Sequence, residues 1–265
     1  MFNKNNLRPI DALLFGAKNM NKTVIIIPSR LEAKRLPNKP LLKINNIPII
    51  IHVVKRAKES KIGDVIVATP NKEIFDLVEK NNCKAILTKN SHGTGTDRVF
   101  EALEKISDDR TDIVINLQGD MPNLDPVNIN NLDHLMRKNN CEIGTLAHTI
   151  QDKKELSDSN IVKVETFDYL SDLNFLKTKD FFRTKKINST KNIYHHVGIY
   201  AFQKDALRKY VKLKRTKNEL DRKLEQMRAL DNNIEIRVAL SKSFPLGVDT
   251  EEDFLLIKNS MEYKS

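Results

Sequence analysis

Thr23-Val24-Ile25-Ile26-Ile27-Pro28, followed at once by Ser29-Arg30, is a short run of aliphatic and β-branched residues with no charge in it. A strand with one wet face alternates apolar and polar positions. This run does not, so as a strand it is buried on both faces. Working outward, residues 49–58 carry apolar positions at helical spacing, and Asp64-Val65-Ile66-Val67-Ala68-Thr69 repeats the buried-strand pattern. Residues 71–81 read as a helix, 84–88 as a strand, 97–106 as a helix with Val99, Ala102, Leu103 and Ile106 on one face, and 112–117 as a fourth strand. Buried strands alternating with helices predict an α/β fold, a doubly wound and mostly parallel sheet covered on both sides. Ligands of such sheets bind beyond the carboxyl ends of the strands, so the residues after each apolar run are the candidates for chemistry.

The second half is less regular. Strand-like pieces fall near 142–150, 161–176 and 193–202, a helix over 218–230, a last strand at 234–240, and a closing helix after Asp249-Thr250. With no linker and no repeat, the expectation is a single domain over 22–265 with a small inserted β-rich region. Residues 1–21 read as a poorly ordered extension, because Met20 precedes the first strand closely and Leu13-Leu14-Phe15 is too short for a secretory core.

Of the 265 residues, 40% are hydrophobic and 30% charged, a balance that argues against disorder and against membrane insertion. Cys83 and Cys141 have no metal or disulfide spacing and read as buried thiols of a reducing compartment. The net charge of +10 is spread among interleaved acids. The densest basic run, 212–217, has no aromatic residues to stack bases and predicts a solvated loop with no nucleic-acid partner.

Three strand ends carry the chemistry. Arg30, Arg35 and Lys39 share one proline-stiffened loop after the first strand, a set of cations suited to offsetting the repulsion within a polyphosphate. Ser91-His92-Gly93-Thr94-Gly95-Thr96-Asp97-Arg98 opens a helix with small residues and free N–H groups. Asn116-Leu117-Gln118-Gly119-Asp120 ends the fourth strand in a carboxylate, and Gly247-Val248-Asp249-Thr250 supplies a second. Two carboxylates suit a hard cation that keeps waters and bridges to phosphate, so Mg2+ is the candidate cofactor. The alternative for Asp120 is a turn residue capping the next helix, and for Asp249 the cap of the final helix.

Arg30 to Leu41 resembles the R-x-x-S-x-R-L-P-G-K-P-L signature of the 3-deoxy-manno-octulosonate (Kdo) cytidylyltransferases, with Ala33 and Asn38 at the Ser and Gly positions. The 91–98 segment is similar to that family's D-H-x-S-G-T-E/D-R, residues 116–121 to its V-N-V-Q-G-D-E with Met121 at the Glu, and 247–250 to its G-V-D-T. His196-Val197-Gly198-Ile199-Tyr200 and Leu224-Glu225-Gln226-Met227-Arg228 resemble H-L-G-I-Y and L-E-Q-L-R. The F-S-R segment appears only as Phe175-Leu176-Lys177, and Arg222 stands where Glu is usual.

The resemblance implies a nucleotide-diphospho-sugar transferase (Rossmann-like) fold and transfer of CMP from CTP to the anomeric hydroxyl of Kdo. It implies catalytic roles for Arg30, Arg35, Lys39, Asp120 and Asp249, with Asp120 and Asp249 on the metal. Nucleotide binding falls to Pro28, Ser29, Thr94, Gly95, Thr96, Arg98 and Gln118. Sugar binding falls to Gln118, Lys177, His196, Tyr200, Glu225 and Gln226. It further implies a cytoplasmic homodimer, dimerising through the β-rich region and serving lipopolysaccharide synthesis. The alternatives are a relative acting on a sialic-acid-like or modified ulosonic acid, and a lapsed relative that binds nucleic acid.

Overall fold

In the computed structural model, which describes residues 22–32, 35–185 and 190–262, β1 (Lys22–Pro28) is buried on both faces. The expected extension 1–21 lies outside the described residues. Ile25 and Ile27 of β1 join one apolar cluster, and Val24 and Ile26 the other. After a turn at Lys39–Leu41 and a small hairpin of β2 (Lys43–Ile44) and β3 (Ile47–Pro48), α1 (Ile49–Glu59) packs into the first cluster. β4 (Gly63–Thr69) pairs parallel to β1. It must begin on glycine, because a Cβ at Gly63 would lie 1.8 Å from the Thr23 carbonyl oxygen.

The chain continues through α2 (Lys72–Lys80), β5 (Lys84–Leu87), α3 (Gly95–Ile106) and β6 (Thr111–Asn116), all parallel, then α4 (Pro126–Asn139) and β7 (Ile143–His148). α3 packs Val99, Ala102 and Leu103 into the second cluster, and α4 packs Ile129, Leu132 and Met136 into the first. The sheet is thus sandwiched, as its two-sided strands demand.

Beyond β7 come α5 (Lys154–Ser157), β8 (Lys163–Thr166), β9 (Leu176–Phe182), β10 (Ile193–Gln203), α6 (Lys204–Tyr210), α7 (Lys217–Arg222), α8 (Met227–Asp231), β11 (Ile236–Leu240) and α9 (Glu251–Glu262). The nine-stranded order is β5-β4-β1-β6-β10-β7-β11-β9-β8. The β-rich region is therefore hydrogen-bonded into the main sheet, with β10 antiparallel to both β6 and β7. β8 also pairs with the start of β10, so β10, β7, β11, β9 and β8 close into a ring.

Two sequence expectations change. The piece predicted at 161–176 is a short β8, a connection, and a β9 that starts only at Leu176. The helix predicted over 218–230 is two helices, broken where Lys223 turns left-handed at φ 54°. No helix among the described residues is long and apolar enough to cross a membrane, and Cys83 and Cys141 are free and buried. In the basic run, Arg215 pairs with Glu219 and Lys217 with Asp221.

Candidate active site

The loop after β1 turns back over the sheet at Asn38, which takes φ 57° and ψ 19° where a glycine would be the default. This directs Lys39 inward. Its Nζ donates to Asp120 Oδ2 at 2.7 Å and to Asp249 Oδ1 at 3.2 Å, while Arg35 reaches Asp249 Oδ2 at 3.0 Å. Burial disfavours the Lys39 charge, but the Asp120 and Asp249 carboxylates outweigh it and hold its pKa above the ordinary lysine value.

Neither aspartate is used as a helix cap. Asp125 caps α4 by accepting from the Val127 N–H. At α9, Asp253 accepts from the N–H groups of Asp249 and Thr250, and the Thr250 hydroxyl accepts from the Asp253 N–H, a reciprocal cap in which the Asp249 carboxylate takes no part. The Val248 N–H donates to the Asp120 carbonyl at 2.9 Å, tying the two acidic segments together. The loop bearing Asp249 is further anchored by Phe244, whose ring lies 4.5 Å from that of His195 and 5.1 Å from that of His148. Buried Asn128 of α4 bonds to Ser243 and to the Lys242 N–H.

These groups line a cleft of about 780 Å³. Its walls include Pro28, Ser29 and Arg30 from the β1 end, Thr94, Gly95 and Arg98 from the start of α3, and Gln118 and Asp120 from the β6 end. Thr94 caps α3 by accepting from the Asp97 N–H at 3.2 Å. Arg98 is buried, which depresses its pKa with a further push from Arg30, and its NH1 donates to the Thr88 hydroxyl at 2.6 Å. A Cβ at Gly119 would stand 3.2 Å from the Pro28 carbonyl, so the bare backbone lets β6 end close to β1.

The cleft also contains His92, which stands in the 91–98 segment but was given no role of its own by the sequence. Its Nε2 donates to Glu101, whose pKa burial alone would raise. Lys105, His92 and the Lys89 N–H instead pull it down to about 2.

A second, smaller hollow of about 40 Å³ shares Gln118 with the cleft and adds Thr96, Tyr200, Glu225 and Gln226. Thr96 thus faces the hollow and not the cleft: its hydroxyl accepts from Asn116 and bonds Glu225. Burial raises the Glu225 pKa against the hydrogen bonds of Thr96 and Thr94 and the charge of Arg228. The Tyr200 hydroxyl at the hollow and the Ser29 hydroxyl at the cleft are buried without a hydrogen-bond partner, an arrangement that calls for a ligand or water.

Lys177 and His196 are brought into neither space. Lys177 is exposed on β9, opposite Arg237, and pairs with Glu235 at 3.5 Å. His196 packs against Phe181 and Tyr200. The Thr145 hydroxyl donates to the Ile199 carbonyl, so it accepts from His196 Nε2–H.

Burial, with a smaller push from His195, pulls the His196 pKa down to about 3 from the ordinary 6.5. The unfolded chain then binds a proton that the folded chain refuses. Stability from this site is complete above the unfolded value and declines by up to about 1.4 kcal/mol per pH unit as pH falls from 6.5 toward about 3. His196→Gln is therefore expected to lose less stability than wild type between about pH 7.5 and about pH 5, read from urea midpoints. Equal losses would contradict this assignment.

A cationic loop, a helix start and paired carboxylates meeting beyond the carboxyl ends of a doubly wound sheet define a nucleotidyltransferase. The cytidylyltransferase family model matches residues 24–236. A 3-deoxy-manno-octulosonate cytidylyltransferase of Brucella ovis is 39% identical over 233 residues, covering 88% of this chain and 92% of the relative, and one of Brucella anthropi is 38% identical over the same length. Among solved structures, a CMP:2-keto-3-deoxy-manno-octonic acid synthetase complexed with CTP superposes with a TM-score of 0.83 at 34% identity, covering 92% of this chain and all of the other. A UDP-glucose pyrophosphorylase, at 15% identity and a TM-score of 0.67, shares the fold. The chain belongs to the 3-deoxy-manno-octulosonate cytidylyltransferase family.

Proposed function

We propose that the chain transfers CMP from CTP to the anomeric hydroxyl of Kdo, releasing pyrophosphate. The observation that carries this reading is the meeting of Arg35, Lys39, Asp120 and Asp249 in a cleft that shares Gln118 with a neighbouring hollow. Charge neutralisation and positioning are what such a transfer needs from a protein.

Arg30, Arg35 and Lys39 bind the outer phosphates and stabilise the charge that builds up on the departing pyrophosphate. The start of α3, with Thr94, Gly95 and Arg98, seats the nucleoside, and the unpartnered Ser29 hydroxyl is available to the ligand. Gln118, Tyr200, Glu225 and Gln226 orient the acceptor sugar. The anomeric oxygen attacks the α-phosphorus in line as the bond to the bridging oxygen breaks. Pyrophosphate leaves with that electron pair, and the hydroxyl proton passes to solvent.

The donor set also fits Mg2+. Asp120 and Asp249 already direct carboxylate oxygens at one cationic centre, Lys39 Nζ. Among the described residues no group of three or more His, Cys, Asp or Glu side chains could hold a metal, so an ion on this pair would complete its shell with phosphate oxygens and water. Bound there, magnesium supplies neutralising charge at the phosphates and a lowered pKa for a coordinated hydroxyl. Phe167, Tyr169 and Leu173, exposed on the β8–β9 connection, support a homodimer.

The test is product analysis by mass after incubation with CTP, Mg2+ and a panel of ulosonic and sialic acids. The reading expects a CMP–Kdo mass and pyrophosphate only when both CTP and Kdo are present. Equal pyrophosphate with and without Kdo overturns that acceptor, and a CMP adduct of another acid alone would assign a different one.

A further inference from the structure

Lys39 occupies the position between the two carboxylates that the proposed function gives to the metal. Its Nζ lies within hydrogen-bond distance of both Asp120 and Asp249, and Arg35 holds the remaining Asp249 oxygen. Two anions and two cations therefore sum to no net charge without any ion. The two cations differ in enclosure. The Lys39 side chain is 14% exposed and the Arg35 side chain 53%. Solvent screens the arginine, but the lysine sits inside the cleft wall, where its charge acts on the carboxylates with little attenuation.

We propose that Lys39 is a resident counter-ion that excludes divalent metal from the Asp120–Asp249 pair until a nucleotide polyphosphate draws the lysine away, so that metal and nucleotide load together. A divalent ion entering the nucleotide-free cleft meets a neutral cluster and an ammonium at contact distance. Mg2+ also gives up its waters reluctantly. A triphosphate changes both conditions at once. It presents stronger, multiply charged acceptors to Lys39 and Arg35, and it brings phosphate oxygens that complete the shell of an ion for which the aspartates supply only part. The consequence is protection of the cleft: a free metal ion does not occupy the pair in a form the nucleotide must displace.

The proposal rests on the reading that Asp120 and Asp249 hold the metal. Its test uses Mn2+ as probe, followed by the electron paramagnetic resonance signal of the free ion, with and without CTP. Without nucleotide, Lys39→Met is expected to bind Mn2+ about tenfold more tightly than wild type, because a unit charge close to the ion has been removed. Lys39→Arg, which keeps the charge, should stay near wild type. With CTP present the order reverses, and Lys39→Met binds the ion more weakly because the phosphates have lost a partner.

Arg35→Met, at the more exposed position, tightens nucleotide-free binding by a smaller factor. It gives a reading that does not depend on the folding of Lys39→Met. Nucleotide-free affinity of a folded Lys39→Met at or below that of wild type overturns the proposal alone, as does tightening by Arg35→Met that equals or exceeds that of Lys39→Met. Binding that Asp120→Asn and Asp249→Asn leave unchanged in the Lys39→Met background overturns the metal assignment, and the proposal with it.

Discussion

Asp120→Asn is expected to lower CMP transfer about a thousandfold, the scale seen when a group stabilising transition-state charge is removed from a preorganised site. The fold should survive. The tie between the acidic segments uses the Asp120 backbone carbonyl, which accepts from Val248, and an asparagine side chain is nearly isosteric with the aspartate it replaces. What disappears is the charge facing Lys39 and the oxygen donor offered to a metal. Asp249→Asn should behave alike, because Asp253 and Thr250 cap α9 without help from the Asp249 carboxylate. Turnover measured beside thermal melting checks both. Near-normal turnover in either variant would contradict the proposed metal pair.

The largest loss of stability is expected from Glu219→Ala. Glu219 and Arg228 are both buried, and the guanidinium grips the carboxylate with two bonds of 2.8 and 2.7 Å. Arg228 also stacks over the Tyr210 ring at 4.9 Å. Removing the acid leaves a buried cation with no carboxylate in the fork, which costs about 3–5 kcal/mol. Between the two paired residues the chain runs through Glu225 and Gln226, which line the smaller hollow. Denaturant unfolding gives the magnitude. A loss below about 1 kcal/mol would mean that Arg228 finds another partner or reaches solvent.

The parallel half of the sheet was legible because β1, β4 and β6 bury both faces and leave no alternation to confuse with an exposed strand. α4 was not marked, since its apolar positions are diluted by asparagines, one of which, Asn128, faces inward for its hydrogen bonds. β9 was misplaced because Lys177, Lys179 and Asp180 interrupt its apolar residues. The break at Lys223 gives no signal, as a left-handed lysine carries no mark of its conformation.

In the site, residue types just beyond strand ends were enough to select Lys39, Asp120 and Asp249, although Lys39 and Asp249 are 210 residues apart. The residues of the smaller hollow were harder to read. Tyr200 and Glu225 reach the hollow through a register shift in β10 and a broken helix, while His196 of the same β10 string turns to Thr145. His92 stood inside a quoted motif. Its partner Glu101 lies a few turns along α3, a pairing that neither spacing nor composition marks.

The convergence of the two acidic segments on one ion is tested most directly by the turnover of Asp120→Asn/Asp249→Asn set beside the two single variants. Groups that act as a unit are non-additive, so the double variant should fall no further than the worse single one, about a thousandfold below wild type. Losses that multiply, to roughly a millionfold, would show that the aspartates act independently and would contradict a shared centre.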